Sequence, residues 1–397
     1  MGQARTSYRT GGRTLAHIQL ALPIKGRVVR AAMELGFDIV RVASAGLLVE
    51  DGARAQERVR QGHMDGMPWY TEERVQAASD PQTLLPGARS IIVVALSYLP
   101  DSDAPEQPLA GRVARYARWS DYHRGMKARL HDLADALSIE ADRPVRSRVF
   151  VDDGPLLERA VARRAGLGWF GKNTNILTAT HGSWVFLGCL LTDLALEPDE
   201  PLLKNCGDCV RCIDACPTGA IVAPYVIDAP RCISYLTIEC RGPIPRELRP
   251  LVGDWVFGCD LCQEVCPVNR DVQGPAGQEL QRTGFSSLDL VPLLTMTPEE
   301  FAVRFRDTPI KRAKLVGLQR NACVALGNIG DRRAVPALGR TLTHDEPLVR
   351  GHAAWALGRI GGTDAQRLLQ EATEHEHDTD VREEIAAAMG QQALATP

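Results

Sequence analysis

The spacing of apolar positions changes character twice along this chain. From about Arg27 to Asp193 helical and extended patterns alternate. RVVRAAMELGF carries its apolar residues at helical spacing and ends at a glycine, SIIVVALSYLP reads as a buried strand stopped by Pro100, and MKARLHDLADAL returns to the helical period. SWVFLGCLLTDL is a further apolar run. This alternation predicts a layered α/β or α+β domain over residues 1–200. From about Pro201 to Pro267 cysteines replace the apolar rhythm, set among turn-forming Gly, Asp and Pro, and such a segment (201–275) is held more by metal than by a core. The remainder, 276–397, repeats. NACVALGNIG from Asn321 aligns with HAAWALGRIG from His352 at a period of 31, each followed by a second apolar helix pattern, and a degenerate third copy starts at Val381. Helix pairs at this period predict a short all-α solenoid of the HEAT type, capped by its third copy.

Composition sharpens this picture in two places. A length of 397 residues, 45% hydrophobic and 24% charged, fits two to four ordinary globular domains at roughly 100–200 residues each. The longest apolar run, Ile91 to Leu96, falls far short of the roughly 20 residues of a membrane span. The start, MGQARTSYRTGGRT, has charge but no apolar stretch behind it, so a cytosolic protein without a membrane partner is expected. Eleven cysteines are present and nine lie between Cys206 and Cys266, a concentration that in a cytosolic chain points to metal and not to disulfides.

Their spacing is specific. Cys206-x2-Cys209-x2-Cys212-x3-Cys216-Pro217 matches the bacterial ferredoxin run, in which three thiolates cap one cubane and the fourth reaches the other cluster of a pair. Cys259-x2-Cys262-x3-Cys266-Pro267 repeats the ending but lacks its first cysteine. Cross-ligation therefore predicts a ferredoxin-like domain with two 4Fe-4S clusters. Cys206, Cys209, Cys212 and Cys266 hold the first; Cys216, Cys259, Cys262 and either Cys232 or Cys240 hold the second. A pair of zinc sites would also use thiolate tetrads, but the x2, x2, x3-Pro rhythm with its truncated partner argues against it. Cys189 and Cys323, in apolar surroundings, read as small buried hydrophobes.

Two cubanes pass single electrons, so something else must receive them. The stretches DAPRCISYLTIE from Asp228, GPIPRELRP from Gly242 and GCDLCQEVCP from Gly258, with VDDGP from Val151 and AGLGWFGKN from Ala165, resemble the epoxyqueuosine reductase family. The similarity runs from about Arg27 into the repeats. It implies an oxidoreductase with an N-terminal cobalamin-binding domain, in which cobalamin fed by the two clusters reduces epoxyqueuosine to queuosine in a tRNA anticodon loop, the last step in making that base. An unidentified reductase or ferredoxin would donate the electrons, and the chain would act as a monomer.

The resemblance also assigns residues. Cys232 matches the cluster ligand, and Cys240 stands where the family commonly has an aliphatic residue. Asp152 matches the proton donor, with a second carboxylate, Asp153, where the family often has Ser or Thr. By pattern alone Asp152 reads differently, as the N-cap of a helix over PLLERAVARRA. Asp121 falls where the family has an acidic residue near substrate. Lys172 and Asn173, in a glycine-rich loop, and Ser234, Tyr235 and Gly258, beside cluster ligands, are expected at cobalamin.

A tRNA partner calls for basic residues interleaved with aromatics. Gly111–Arg129 has six Lys or Arg against one Asp, with Tyr116, Trp119 and Tyr122 between them, and marks Arg115 and Arg118 as substrate contacts. Arg304–Arg320 carries six more basic residues and leads into the solenoid. On a chain of net charge −3 such local concentrations say more than the total. Two other readings fit the motifs less well: a reductive dehalogenase-like cobalamin enzyme acting on small molecules, and an electron-transfer protein that docks a partner through its helical repeats.

Overall fold

The structure is a computed structural model that describes residues 23–99, 107–272, 274 and 283–395. Pro100 and the N-terminal stretch read above lie outside the described residues. The strands used below are β1 Ile39–Ser44, β2 Ser90–Ser97, β3 Ala110–Val113, β4 Ser147–Phe150, β5 Val185–Thr192, β6 Trp255–Phe257 and β7 Ser287–Asp289.

The N-terminal region is mixed α/β, built on a four-stranded sheet in the order β1-β2-β5-β4, with every neighbouring pair antiparallel. Every residue of β2 is buried, because the sheet is covered on both faces. Ile92, Val94 and Leu96 pack with Val28 and Ala32 of helix Ile24–Glu34 and with Met126, Leu130, Leu133 and Leu137 of helix Tyr122–Glu140. Ile91, Val93 and Ala95 point the other way, toward Ala160, Val161 and Ala162 of helix Glu158–Arg164. Alternate residues thus serve opposite layers, and the sequence reads as an unbroken apolar run. Cys189 lies in this core, and Cys323 is buried on a repeat helix.

A second sheet, in the order β6-β3-β7, draws one strand from each of the three segments distinguished in the sequence. β3 pairs parallel with β6 and antiparallel with β7. Around it a single apolar cluster runs from Val113 and Phe257 through Leu288 into Leu318, Leu326 and Trp355 of the solenoid. The repeats are helices Lys314–Ile329, Pro347–Ile360 and Thr379–Ala395, with Val335–Thr341 and Thr363–His375 between them. Gly330 ends the first in the left-handed conformation at φ 72°, where a side chain would be strained. Among the described residues no helix is long and apolar enough to cross a membrane.

Candidate active site

A cavity of about 1530 Å³ lies between the N-terminal region and the cysteine segment. One wall comes from helices Val49–Arg60 and Glu72–Ser79 and the loop from Asp152 to Glu158; the other comes from Pro201–Asn205, Tyr225, Ala229 and Glu239. The volume exceeds the roughly 300–1,000 Å³ of ordinary small-molecule sites.

Asp152 lies on the cavity wall at a backbone φ of +52°, a left-handed conformation that Asp tolerates better than most residues. Its Oδ2 accepts the Tyr122 hydroxyl at 3.0 Å, and its own N–H is held by Glu158. The helix that follows begins only at Glu158, with Leu157 as its N-cap residue and no side-chain cap, so Asp152 is not the helix cap that pattern alone suggests. Asp153 faces away from the cavity and pairs with Lys127. The two adjacent carboxylates are therefore sorted by the fold. Tyr122 stacks on Phe186 at 3.9 Å, and burial pushes its phenol well above the ordinary range, so its hydroxyl stays a donor to Asp152.

Asp121 begins helix Tyr122–Glu140, where Oδ1 accepts the His123 N–H at 3.2 Å and lies 2.7 Å from His123 Nδ1. Lys311 Nζ, 190 positions along the chain, donates to Oδ2 at 2.8 Å. The His123 hydrogen bond, outweighing partial burial, and then Lys311 hold this carboxyl far below the usual carboxylate range. Next to it Arg312 donates to Glu239 at 2.8 Å and lies 5.2 Å above the Trp69 ring, one of the few exposed aromatics. Glu239 and Trp69 both line the cavity. Glu158, Trp69 and Glu239 were not marked as site residues by sequence, and Tyr122 was marked only as an aromatic of the basic stretch. Lys311 and Arg312 were legible only as members of a basic stretch.

The arginines chosen from Gly111–Arg129 turn inward. Arg118 is 7% exposed and donates from Nε to the Val113 carbonyl at 3.0 Å. Arg115 pairs with Glu264 at 3.2 Å and lies 4.9 Å over the Trp184 ring. The interleaved aromatics are core residues: Trp119 donates from Nε1 to the Tyr98 carbonyl at 2.6 Å, and Tyr116 packs against Phe257. The short 3-10 turn Arg115–Arg118 between β3 and helix Tyr122–Glu140 points these side chains into the protein.

The cysteines separate into two sets. Burial raises the Cys212 thiol first, and its electrostatic neighbours are Cys206, Cys266 and Cys209; those of Cys266 are Cys206 and Cys209. Cys259, raised mainly by burial, neighbours Cys232 and Cys216, and the buried Cys262 neighbours Cys232 and Cys259 and, across to the first run, Cys212. Cys232 thus lies among the cysteines of the second run, while Cys240 is absent from these neighbours. Cys240 stands apart, its Sγ turned to the Gly242 carbonyl at 3.6 Å. Among the described residues no three such side chains converge on a single ion.

The five residues expected at cobalamin lie beside the cysteines and outside the lining of the large cavity. Lys172 Nζ donates to the Gly207 carbonyl at 2.7 Å and Asn173 Nδ2 to that of Cys262 at 3.3 Å, so this loop clamps both cysteine runs. The backbone N–H groups of Ser234 and Tyr235 point at the Cys232 thiol. The Tyr235 hydroxyl reaches Gly66, where a Cβ would lie 1.7 Å away. The Gly258 N–H donates to Thr237 Oγ1 at 2.9 Å.

Residues 79–153 match the family described as epoxyqueuosine reductase QueG, residues 205–269 a 4Fe-4S double cluster binding domain, and residues 316–390 HEAT repeats. An epoxyqueuosine reductase of Pseudomonas aeruginosa is 42% identical over 340 residues, covering 83% of this chain and 92% of its own. The chain belongs to the epoxyqueuosine reductase family. A Bacillus cereus member is 36% identical over 370 residues, which is 91% of this chain and 96% of that one. Among solved structures, a family member bound to an epoxyqueuosine-modified tRNA-Tyr stem loop superposes with a TM-score of 0.86 at 32% identity, covering 93% of this chain and 99% of that one. A Bacillus subtilis member, solved with its catalytic aspartate loop swung out of the active site, has the same TM-score, identity and coverage of this chain. As a member of this family the protein is an oxidoreductase, and its cysteine segment is a 4Fe-4S binding domain.

Proposed function

We propose that this protein reduces epoxyqueuosine to queuosine in the anticodon loop of tRNA, with cobalamin in the 1530 Å³ cavity and two 4Fe-4S clusters behind it. The observation that carries the reading is Asp152, held by Tyr122 on the wall of that cavity, with the cysteine segment forming the wall opposite. Removing the epoxide oxygen to leave an alkene takes two electrons and two protons and releases water.

The cavity residues suit a large ligand rich in acceptors. The Nε–H groups of Arg58, Arg163 and Trp169 are buried without a hydrogen-bond partner among the described residues, and all three residues line the cavity. Unpaired buried donors are costly, and the amide groups that fringe cobalamin would satisfy them, while Leu203 and Leu157 would give it apolar surface. When bound, cobalamin supplies low-valent cobalt, a strong nucleophile and reductant that electrons from the clusters regenerate.

The protein's own part is to deliver a proton and hold the substrate. Asp152 is the acid that protonates the departing oxygen, with its Oδ2 fixed by Tyr122. An aspartate on a loop at the active site is also what the Bacillus subtilis relative presents. Cys206, Cys209, Cys212 and Cys266 hold one cluster; Cys216, Cys232, Cys259 and Cys262 hold the other. Both sets adjoin the cavity wall: Asn205 precedes Cys206, and the Cys232 N–H donates to the carbonyl of cavity-lining Ala229 at 2.8 Å. Lys311, Arg312 and Trp69 at the rim, with Asp121, receive the RNA. Three domains divide the work, at 1–200, 201–275 and 276–397, in a cytoplasmic monomer reduced by a separate reductase or ferredoxin.

The test is a nucleoside digest of tRNA from a strain lacking this protein, and the same tRNA incubated anaerobically with purified protein, cobalamin and a chemical reductant. Accumulated epoxyqueuosine in the strain and its conversion to queuosine in vitro are expected. Conversion that proceeds equally well without cobalamin would overturn the cofactor assignment.

A further inference from the structure

The loop from Val151 to Leu157 links β4 to helix Glu158–Arg164 and carries Asp152 to the cavity. Side chains supply most of what holds it. The Val151 N–H points to Asp153 Oδ1 at 3.4 Å, Asp153 pairs with Lys127, and Tyr122 donates to Asp152. At the centre, the Asp152 N–H is directed between both oxygens of Glu158, 2.9 Å from Oε1 and 3.1 Å from Oε2. A carboxyl group whose oxygens straddle one amide fixes the orientation of that peptide plane, and here it fixes the residue at φ +52°. Turning the peptide over would break both contacts and carry the Asp152 side chain off the cavity wall.

Glu158 is unusual on two further counts. It stands at the first position of its helix, where a carboxylate is favoured by the unpaired N–H groups, yet it is spent on a residue six positions back. It also lines the cavity, and burial together with Asp152 pushes its own carboxyl up to about 8. A carboxyl of such an environment at a catalytic cavity calls for a role.

We propose that Glu158 is a positioning residue that latches the Asp152 loop in its working position by accepting the Asp152 backbone N–H, so that the proton donor faces the substrate only while the latch is made. This rests on Asp152 being the proton donor. Glu158 itself transfers no proton to the substrate in this scheme.

Two measurements on the full-length protein test it. Amide hydrogen exchange of the peptide covering 150–157 should rise at least tenfold in Glu158→Ala and in Glu158→Met, neither of which can accept the bond, while exchange in β2 and β5 is unchanged. Glu158→Gln keeps one acceptor oxygen and should restore protection to within about threefold of the native protein. Single-turnover rates on epoxyqueuosine-modified stem loop should follow the same order, with kcat down 10- to 100-fold in the Ala and Met variants and KM within twofold. Unchanged exchange at 150–157 would overturn the latch, as would faster exchange with unaltered kcat. Should Glu158→Ala fail to fold, Glu158→Met, which fills the same volume, gives the answer. The exchange experiment needs no cofactor or turnover, so it reads the latch even if Asp152 proves not to be the donor; Asp152→Asn kinetics read the donor separately.

Discussion

Arg249 and Glu384 meet as a two-pronged pair, with Nη2 to Oε1 at 2.7 Å and Nη1 to Oε2 at 2.9 Å, and so join the cluster-bearing segment to the last repeat helix. Arg249 is almost fully buried; its Nε donates to the Ile244 carbonyl and its guanidinium lies 5.8 Å from the Trp355 ring. The second cation, Arg246, reaches the same carboxylate at 3.0 Å. Through this pair the solenoid is locked onto the redox segment and is no loose appendage.

Removing one partner leaves a buried charge alone, which costs about 3–5 kcal/mol. Glu384→Ala should therefore lower the stability of the cluster-bearing segment as well as of the repeats. Chemical denaturation followed both by tryptophan fluorescence and by cluster absorbance tests this; a repeat domain that melts while the cluster signal holds would show that the two are uncoupled.

Iron content separates the two candidate eighth ligands. Cys232→Ser is expected to lose about half of the iron of reconstituted protein, one cubane of two. Cys240→Ser should retain all of it, since that thiol faces Gly242 and not the other cysteines. Equal losses would reject the assignment.

Asp152→Asn should keep iron and cobalamin and lose 10²- to 10⁴-fold in turnover, the usual contribution of a positioned acid. Asp153→Asn, which breaks only the pair with Lys127, should keep turnover within a few fold. The reverse pattern in anaerobic kinetics would exchange the two roles.

Stability should carry a pH signature of Glu158. The carboxyl faces Asp152 and Asp153 on its own loop, Arg159 beside it, Tyr122 of the neighbouring helix and Cys189 of β5. Burial, then Asp152, raises it to about 8 from an ordinary 4.5. The unfolded chain gives up this proton near 4.5 and the folded protein keeps it to about 8, so this group lowers stability progressively as pH rises between those values. Glu158→Gln removes the titration. Its Tm should equal that of the native protein at pH 5 and exceed it at pH 8.5; a difference that does not change with pH would contradict the assignment.

Lys311 and Arg312 supply the test of the RNA surface. Their joint replacement by Ala should weaken stem-loop binding about tenfold and reduce the salt dependence of Kd by one to two charges. Arg115→Ala should leave that affinity unchanged and lower Tm, because Arg115 pairs with Glu264 inside the protein. Binding measured at two salt concentrations distinguishes the outcomes.

What the sequence determined by itself was local chemistry. Thiolates two and three residues apart can cap a cubane only in certain ways, so the x2, x2, x3-Pro runs marked a 4Fe-4S double-cluster segment before any fold was known. Helical and extended periods likewise announced β2, helix Tyr122–Glu140 and the repeats, because each buries a face that its own spacing defines. Direction and distance were another matter. Asp152 and Asp153 are neighbours of the same type, and only the left-handed turn at Asp152 sends one to the cavity and the other to Lys127. Arg115 and Arg118 look like RNA contacts in a basic, aromatic stretch, yet packing turns them into carbonyls and Glu264. Lys311 meets Asp121 across 190 positions of chain, a contact that no spacing encodes, because it comes from the closing of the solenoid onto the N-terminal region.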